Sequence, residues 1–141
     1  MITEKDEIEQ LKRELKSYNY YVESVREINM KLIEINTKLI GLSSPTPSEV
    51  IAGKVSVKYY HDNKMELMDE EAKLITERSY YEGRIAKINS MLDEMNRDSQ
   101  KLIKGLFMEH ISYATMCEEL RTSESSLKRR VNSIIKETIK K

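Results

Sequence analysis

Apolar side chains recur every seven residues through the second half of the chain. The series comprises Leu67, Leu74, Tyr81, Ile88, Met95 and Leu102, with Ile85, Leu92 and Leu106 in the alternate positions. Such a heptad repeat is typical of long amphipathic helices that pack side by side, as in coiled coils. It argues against a β-strand, in which apolar positions recur every second residue. The repeat therefore predicts one long helix over most of this region.

A second apolar stripe begins near Thr3 and reaches Ile40. Its members are Ile8, Leu11, Leu15, Tyr18, Val22 and Val25, followed by Ile28, Leu32, Ile35 and Leu39. The steps alternate between three and four residues, which again predicts a long amphipathic helix. Two arrangements satisfy both stripes: the helices pair as an antiparallel hairpin within one chain, or each packs on a second chain. In either case the fold class is all-α.

The segment between the two helices interrupts the pattern. Pro45 and Pro47 cannot continue a helix, because proline lacks a backbone N–H and disfavours helical backbone in the residue before it. We therefore expect a loop over residues 41–63. Asn63 and Glu66 have the spacing of a capping box, and they predict the first turn of the second helix.

The C-terminal part of the chain divides into three shorter helices. A break at Asn96–Ser99 precedes them, because Asn, Asp and Ser favour helix caps. The first of the three covers about Ser99–Glu109. The second follows Ser112, and the third follows Ser123 and ends near Ile139, since serine is a preferred N-cap.

This division predicts two domains. Residues 1–98 form a coiled-coil-like helical hairpin for oligomerisation or partner binding, and residues 99–141 form a small helix-turn-helix domain. A helix-turn-helix holds a second helix steeply against a short first one, so that the second can enter the major groove. Close approach of the two helices needs a small side chain, here Cys117, beside the larger Met116 and Leu120.

The last of these helices has an apolar stripe and a polar face. Leu127, Val131, Ile134 and Ile135 form the stripe and predict the core side, whereas Arg129 lies directly opposite. Short hydroxyl side chains near the helix N-terminus let the backbone approach base edges, and long cations at the flanks reach phosphates. The candidate DNA-contacting residues are Tyr113, Arg121, Ser123, Ser125, Ser126, Lys128, Arg129, Arg130, Asn132 and Lys136.

Charge is distributed unevenly, although the formal net charge is zero. Residues 1–98 contain 15 Lys/Arg and 19 Asp/Glu, whereas residues 99–141 contain 9 and 5. Within Arg121–Lys141 there are 7 basic and 2 acidic residues. Such asymmetry favours an anion-binding C-terminal segment, and nucleic acid is the commonest anionic partner. Charge alone is equally compatible with a solvated basic helix that binds nothing.

The residues from Ile111 to Arg130 form the motif I-S-Y-x-x-M-C-x-x-L-x-x-S-x-S-S-L-K-R-R. This motif resembles the helix-turn-helix of sigma-factor region 4 and, more closely, the ArpU/RinA group of phage-encoded transcription regulators. Two long helices joined by a Ser/Pro-containing loop are also similar to that group. The resemblance implies a phage or prophage origin and activation of late genes in a bacterial host. Cys117 stands where the family usually has Ala, and Arg121 where it usually has a turn Gly.

Several other classes do not fit the sequence. No stretch approaches the ~18 apolar residues of a membrane span, and the first ten residues are too polar for a signal peptide. We therefore expect a cytoplasmic protein with no membrane contact. His61, His110 and the single Cys117 lack metal-ligand spacing. No glycine-rich phosphate loop or nucleophile motif is present, so we expect neither an enzyme, a cofactor nor a small-molecule substrate.

The sequence is compatible with three functions. The leading one is a sequence-specific regulator that binds double-stranded DNA, expected to act as a homo-oligomer and to contact host RNA polymerase. A second is a small terminase-like subunit that recognises phage DNA for packaging. A third is a pure interaction protein that binds RNA polymerase, with a C-terminal bundle that binds no DNA.

Overall fold

The computed structural model describes residues 2–42 and 57–140, with side chains given outside 57–62. The described residues are helical almost throughout and contain no strand, so the all-α prediction is confirmed. Pro45 and Pro47, on which the predicted loop rests, lie outside the described residues. Within the described parts, no helix combines the length and the apolar character that crossing a membrane requires.

Helices account for nearly all of the described chain. They are α1 Glu4–Lys16, α2 Tyr18–Gly41, α3 Val57–Glu94, α4 Arg97–Ile103, a π-helical segment Lys104–Met108, α5 Tyr113–Leu120 and α6 Glu124–Lys140.

Helix α1 has a complete N-terminal cap. The Thr3 hydroxyl accepts a hydrogen bond from the Asp6 backbone N–H, and the Asp6 carboxylate accepts one from the Thr3 N–H, each at 3.2 Å. These backbone and side-chain hydrogen bonds from Thr3 hold the pKa of Asp6 below its ordinary value. The predicted single helix to Ile40 is interrupted at Ser17, whose hydroxyl donates to the Arg13 carbonyl at 2.9 Å. Such local bonds compete with helical ones.

Helix α3 begins earlier than the sequence predicted. Val57 is its first residue, so Asn63 lies inside the helix and the capping-box prediction for Asn63 and Glu66 is wrong. A cap of that kind needs a non-helical backbone at its first residue. The heptad repeat explains the earlier start, because Tyr60 lies seven residues before Leu67 and extends the same apolar spacing.

The chain forms two compact units, and both ends of the sequence belong to the same one. Unit 1 contains Met1–Val22 and Gly83–Lys141, and unit 2 contains Glu23–Glu82. Helices α2 and α3 each contribute to both units. The predicted functional division at residues 98 and 99 stays a prediction.

The core of unit 1 joins α1 to the end of α3 and to the C-terminal helices. Helix α1 contacts both α6 and the π-helical segment. The buried members are Ile8, Leu15, Ile88, Leu92, Leu102, Ile103, Leu106, Phe107, Met116, Leu127, Val131 and Ile135. Each fully buried side chain of this kind stabilises the fold by about 1.5–3 kcal/mol. The burial expected for Val22 is wrong, since 43% of that side chain is exposed.

Unit 2 has a smaller core between α2 and α3. Ile28, Ile35 and Leu74 are buried in it. Asn29 Oδ1 accepts a hydrogen bond from Arg78 Nη1 at 2.9 Å. Residues near the end of α2, from Lys38 to Leu42, line a cleft together with Asn63 to Glu70 of α3. The two segments therefore run in opposite directions within unit 2.

Candidate nucleic-acid interface

The C-terminal helices begin at a side-chain cap. Asn96 Oδ1 accepts a hydrogen bond from the Ser99 backbone N–H at 2.8 Å, which starts α4 at Arg97. The Gln100 side chain donates to the carbonyls of Leu92 and Met95 and so satisfies the end of α3. The break predicted at Asn96–Ser99 is confirmed.

Gly105 in the π-helical segment lies against Met116 of α5. A Cβ placed on Gly105 would lie 2.7 Å from the Met116 Cε atom, the flexible end of that side chain, so a larger residue there requires Met116 to shift. Cys117, the small residue that the sequence predicted at this contact, is half-buried at the edge of the core. Met116 is buried as expected, but Leu120 is 43% exposed, so the packing role predicted for it is wrong.

Helix α5 has a defined start and a left-handed end. The Ser112 hydroxyl accepts from the Thr115 N–H at 3.1 Å, which confirms the predicted cap. Arg121 ends the helix with φ 53° and ψ 49°. The Thr122 N–H donates to the Cys117 carbonyl at 3.1 Å and closes the turn. The left-handed conformation explains why glycine is usual at this position, and it costs an arginine about 1–2 kcal/mol.

Two of the candidate serines cap helix α6. Ser123 Oγ accepts from the Ser126 N–H at 3.2 Å and donates to Ser126 Oγ at 3.0 Å. Both side chains are exposed. Their bonds to each other start the helix, and any base contact would have to compete with this cap.

Helix α6 has one buried face and one outward face. Leu127, Val131 and Ile135 are exposed by 1%, 0% and 0%, and Ile134 is half-buried against the same core. In the first four turns of the helix, four exposed residues lie within roughly 80° of one another on the other side. We call them the outward face: Ser125, Arg129, Ser133 and Lys136. Ser133 is not one of the candidate DNA-contacting residues, although the helical spacing also predicts that it flanks Arg129.

Asn132 does not belong to the outward face. The residue is half-buried, and its Oδ1 atom is buried with no hydrogen-bond partner among the described residues. The prediction that it lies exposed beside Arg129 is therefore wrong. The predicted exposure of Asn132 came from the spacing of residues along α6 alone. In the structure α1 packs against α6, which the spacing does not reveal. The ion pair between Lys136 and Glu4 places α1 along this edge.

Lys128 and Tyr113 lie together where α5 and α6 meet. The Lys128 Nζ atom is 5.7 Å from the Tyr113 ring centroid and 3.0 Å from Glu124 Oε1. The hydrogen bond from Glu124 raises the pKa of Lys128. Burial raises the pKa of Tyr113, and Lys128 opposes this change, whereas Glu9 and Glu124 add to it. Tyr113 is half-buried and packs on the core, so only part of its ring is accessible to DNA.

The cations on α6 differ in their pairing. Lys128 is paired with Glu124, and the Lys136 Nζ atom lies 3.6 Å from Glu4 Oε1. Arg129 and Arg130 are exposed and make no ion pair or hydrogen bond with any described residue. These two guanidinium groups are therefore available to an external anion.

Arg130 also lines a cleft in unit 1. Its neighbours there include Lys101, Lys104, Glu109 and Glu119. Cations and carboxylates are mixed around this cleft, so the charge there favours neither an anion nor a cation. Among the described residues, no three His, Cys, Asp or Glu side chains are grouped as a metal site would require.

No protein-family model, curated protein or solved structure matches this chain.

Proposed function

We propose that the protein is a sequence-specific regulator of transcription that binds double-stranded DNA. In this proposal α5 and α6 form a helix-turn-helix, and the outward face of α6 enters the major groove. The observation that carries the proposal is the two-sidedness of α6. Its apolar side is fully buried at Leu127 and Val131, while Arg129 faces outward without an intramolecular partner in the described structure.

The chemistry of the outward face fits base recognition. The major groove admits an α-helix, and an arginine there pairs bidentately with the O6 and N7 atoms of guanine. Ser125 and Ser133 are short, so they let the helix lie close to base edges and can hydrogen-bond to them. Arg129 lies between them and is the residue we assign to direct readout.

Phosphate contacts fall to Lys136, at the C-terminal end of this face, and to cations beside the face. Arg130 is unpaired among the described residues, and Arg121 is exposed in the turn before α6. Lys128 and Lys136 reach phosphates by exchanging Glu124 and Glu4 for the DNA backbone. Exposed ion pairs of this kind are worth about 0–1 kcal/mol, so the exchange opposes binding only weakly.

The biological setting is part of the proposal and rests on the resemblance of residues 111–130 to phage-encoded regulators. It comprises activation of late phage or prophage genes in the bacterial cytoplasm. The long α2–α3 pair, as a coiled-coil-like hairpin, presents a surface to other proteins, including host RNA polymerase.

Selection of DNA from random duplexes by the full chain tests the proposal. We expect an enriched site that contains guanine, bound with strong salt dependence. If about five cations contact phosphates, log K falls against log salt with a slope of about −4.5. Recovery of no preferred sequence would contradict the proposal, and so would a DNA affinity that does not change with salt. A protein that binds only RNA polymerase would retain no DNA in this selection.

A further inference from the structure

Asn19 connects the beginning of α2 to the end of the π-helical segment. Its Nδ2 atom donates a hydrogen bond to the Met108 backbone carbonyl at 2.6 Å. The two residues are 89 positions apart in the sequence, and both belong to unit 1. Carbonyls at the end of a helix lack a partner within the helix. Among the described residues no backbone N–H donates to the Met108 carbonyl, so Asn19 supplies its hydrogen bond.

The chain leaves the π-helical segment through residues 109–112, which we call the corner. His110 has a left-handed backbone conformation there, with φ 57°. This conformation is unfavourable for a residue that has a Cβ atom, and it persists only where the surrounding contacts hold it. One such contact is the hydrogen bond from the Ile111 N–H to the Gly105 carbonyl, at 2.9 Å. The bond from Asn19 is another, because it holds the residue directly before the corner.

The corner sets the position of α5. Its last residue, Ser112, is the N-cap of that helix and accepts a hydrogen bond from the Thr115 N–H at 3.1 Å. Tyr113 follows immediately, and its ring centroid lies 5.7 Å from the Lys128 Nζ atom of α6. A shift of the corner would therefore move α5 and change its contact with α6.

Neighbouring contacts hold the first turn of α2 beside the corner. Helix α1 contacts the π-helical segment, and its residue Leu15 is 1% exposed in the core of unit 1. Asn19 follows Leu15 by four residues, about one helical turn, and so continues the side of the chain that faces this segment. The Tyr18 hydroxyl donates to Asn89 Oδ1 of α3 at 3.1 Å. The first two residues of α2 are thus bonded to two different elements of unit 1.

We propose that Asn19 is a positioning residue for the candidate helix-turn-helix. It acts through its bond to Met108, which holds the corner, and the corner fixes α5 and the outward face of α6 on unit 1. The effect on DNA rests on the proposed function, whereas the hold on the corner does not. Loss of the bond should weaken base contacts, which depend on direction, more than phosphate contacts, which depend mainly on charge.

Hydrogen exchange of the full chain without DNA tests the hold on the corner. Asn19→Ala removes the donor, and we expect the Ile111 amide to exchange about fivefold faster, since one hydrogen bond is lost. Asn29→Ala is the matched control, because Asn29 lies on the same helix and accepts a bond from Arg78 in unit 2. It should leave exchange at Ile111 unchanged. Both asparagines are exposed, so circular dichroism should show unchanged helicity.

Binding to DNA gives a second readout, which a general loss of stability would not change. It is the ratio of the affinity for the selected duplex to the affinity for a scrambled duplex. We expect Asn19→Ala to lower this ratio by about fivefold, because a displaced Arg129 loses part of its bidentate pair with guanine. Asn29→Ala should leave the ratio unchanged. A variant that is only less stable lowers both affinities in proportion.

Three results would overturn the proposal. The first is unchanged exchange at Ile111 in Asn19→Ala. The second is equally faster exchange at the Leu127 amide, which is bonded to the Ser123 carbonyl in α6 and would report a general loss of stability. The third is faster exchange at Ile111 with an unchanged affinity ratio. If the wild-type chain distinguishes no DNA sequence, the proposed function fails, and the exchange result alone decides whether Asn19 holds the corner.

Discussion

Lys136 on α6 and Glu4 on α1 form an ion pair, with Nζ 3.6 Å from Oε1. Both side chains are about half exposed, at 47% and 53%. The pair connects the first helix of the chain to the outward face of the last one. A carboxylate of α1 therefore competes with any phosphate that approaches Lys136.

Glu4→Gln should strengthen DNA binding. Removal of the competing carboxylate frees Lys136, so we expect a two- to fivefold gain in affinity at low salt and a salt slope steeper by about 1. Affinity measured between low and moderate salt checks this. Glu7→Gln is the control, because it removes the same charge from the same turn of α1. Equal effects of the two variants would show that the net charge of α1, and not the ion pair between Glu4 and Lys136, controls the affinity for DNA.

Arg129→Ala should relax base preference. We expect a loss of about 1–3 kcal/mol on the best site and a weaker preference at one position, because a bidentate pair with guanine is lost. Arg129→Lys should relax preference too, since lysine lacks the planar fork. Lys128→Ala should weaken all sequences alike. If preference survives Arg129→Ala and changes in Lys128→Ala, a different side of α6 faces the bases.

Asn132→Ala should stabilise the protein. Its Oδ1 atom is buried without a partner in the described structure, and such an atom costs about 1–3 kcal/mol. Alanine also has a higher helix propensity than asparagine. We expect the free energy of unfolding in urea to rise by about 1 kcal/mol relative to the exposed control Ser133→Ala. A fall in stability would indicate that the Asn132 amide makes a favourable contact.

Leu15→Ala should destabilise the fold that presents α6. Leu15 is 1% exposed in the core that also contains Leu127, so we expect a loss of about 2–5 kcal/mol in the free energy of unfolding. Leu120→Ala makes the same truncation at a 43% exposed site and should cost less than about 1 kcal/mol. For the same reason, a fragment of residues 99–141 should lose helicity. A stable, DNA-binding fragment would show that α1 is dispensable.

Tyr113 should make stability fall at high pH. Burial raises its pKa, so the folded state holds the phenol proton more tightly than the unfolded state does. This contribution is fully present below the unfolded pKa of about 10 and is lost as the pH rises above it. Tyr113→Phe should therefore flatten the stability profile above about pH 10. A variant profile that stays parallel to the wild-type profile would argue against the effect.

Local signals in the sequence predicted much of the fold. The heptad spacing identified Ile88, Leu92 and Leu102 as buried, because periodicity reports directly on which side of a helix faces a core. The caps at Ser112 and Ser123 were also predictable, since a cap depends only on residues a few positions away. The serine and arginine content of α6 was enough to suggest its outward face.

Long-range packing was not predictable in the same way. Nothing in the periodicity of Ile8 and Leu15 shows that their stripe would pack against α6. That contact explains why the burial of Asn132 was missed and why Lys136 is paired with a residue of α1. The contact between Gly105 and Met116 was missed for a related reason, because no local pattern shows which side chain of α5 lies against Gly105.

Unit 1 consists of two separate stretches of the chain, Met1–Val22 and Gly83–Lys141, so its core cannot form until the second stretch has been synthesised. Leu127 and Ile135 share a core with Ile8 and Leu15 but are synthesised about 110–130 residues after them. At 5–20 residues per second, the apolar side of α1 stays uncovered for roughly 10 s. Unit 2 is continuous in sequence and has all its residues available sooner. Codons that slow the ribosome within α3 would lengthen the time in which α1 is exposed to chaperones or to other nascent chains.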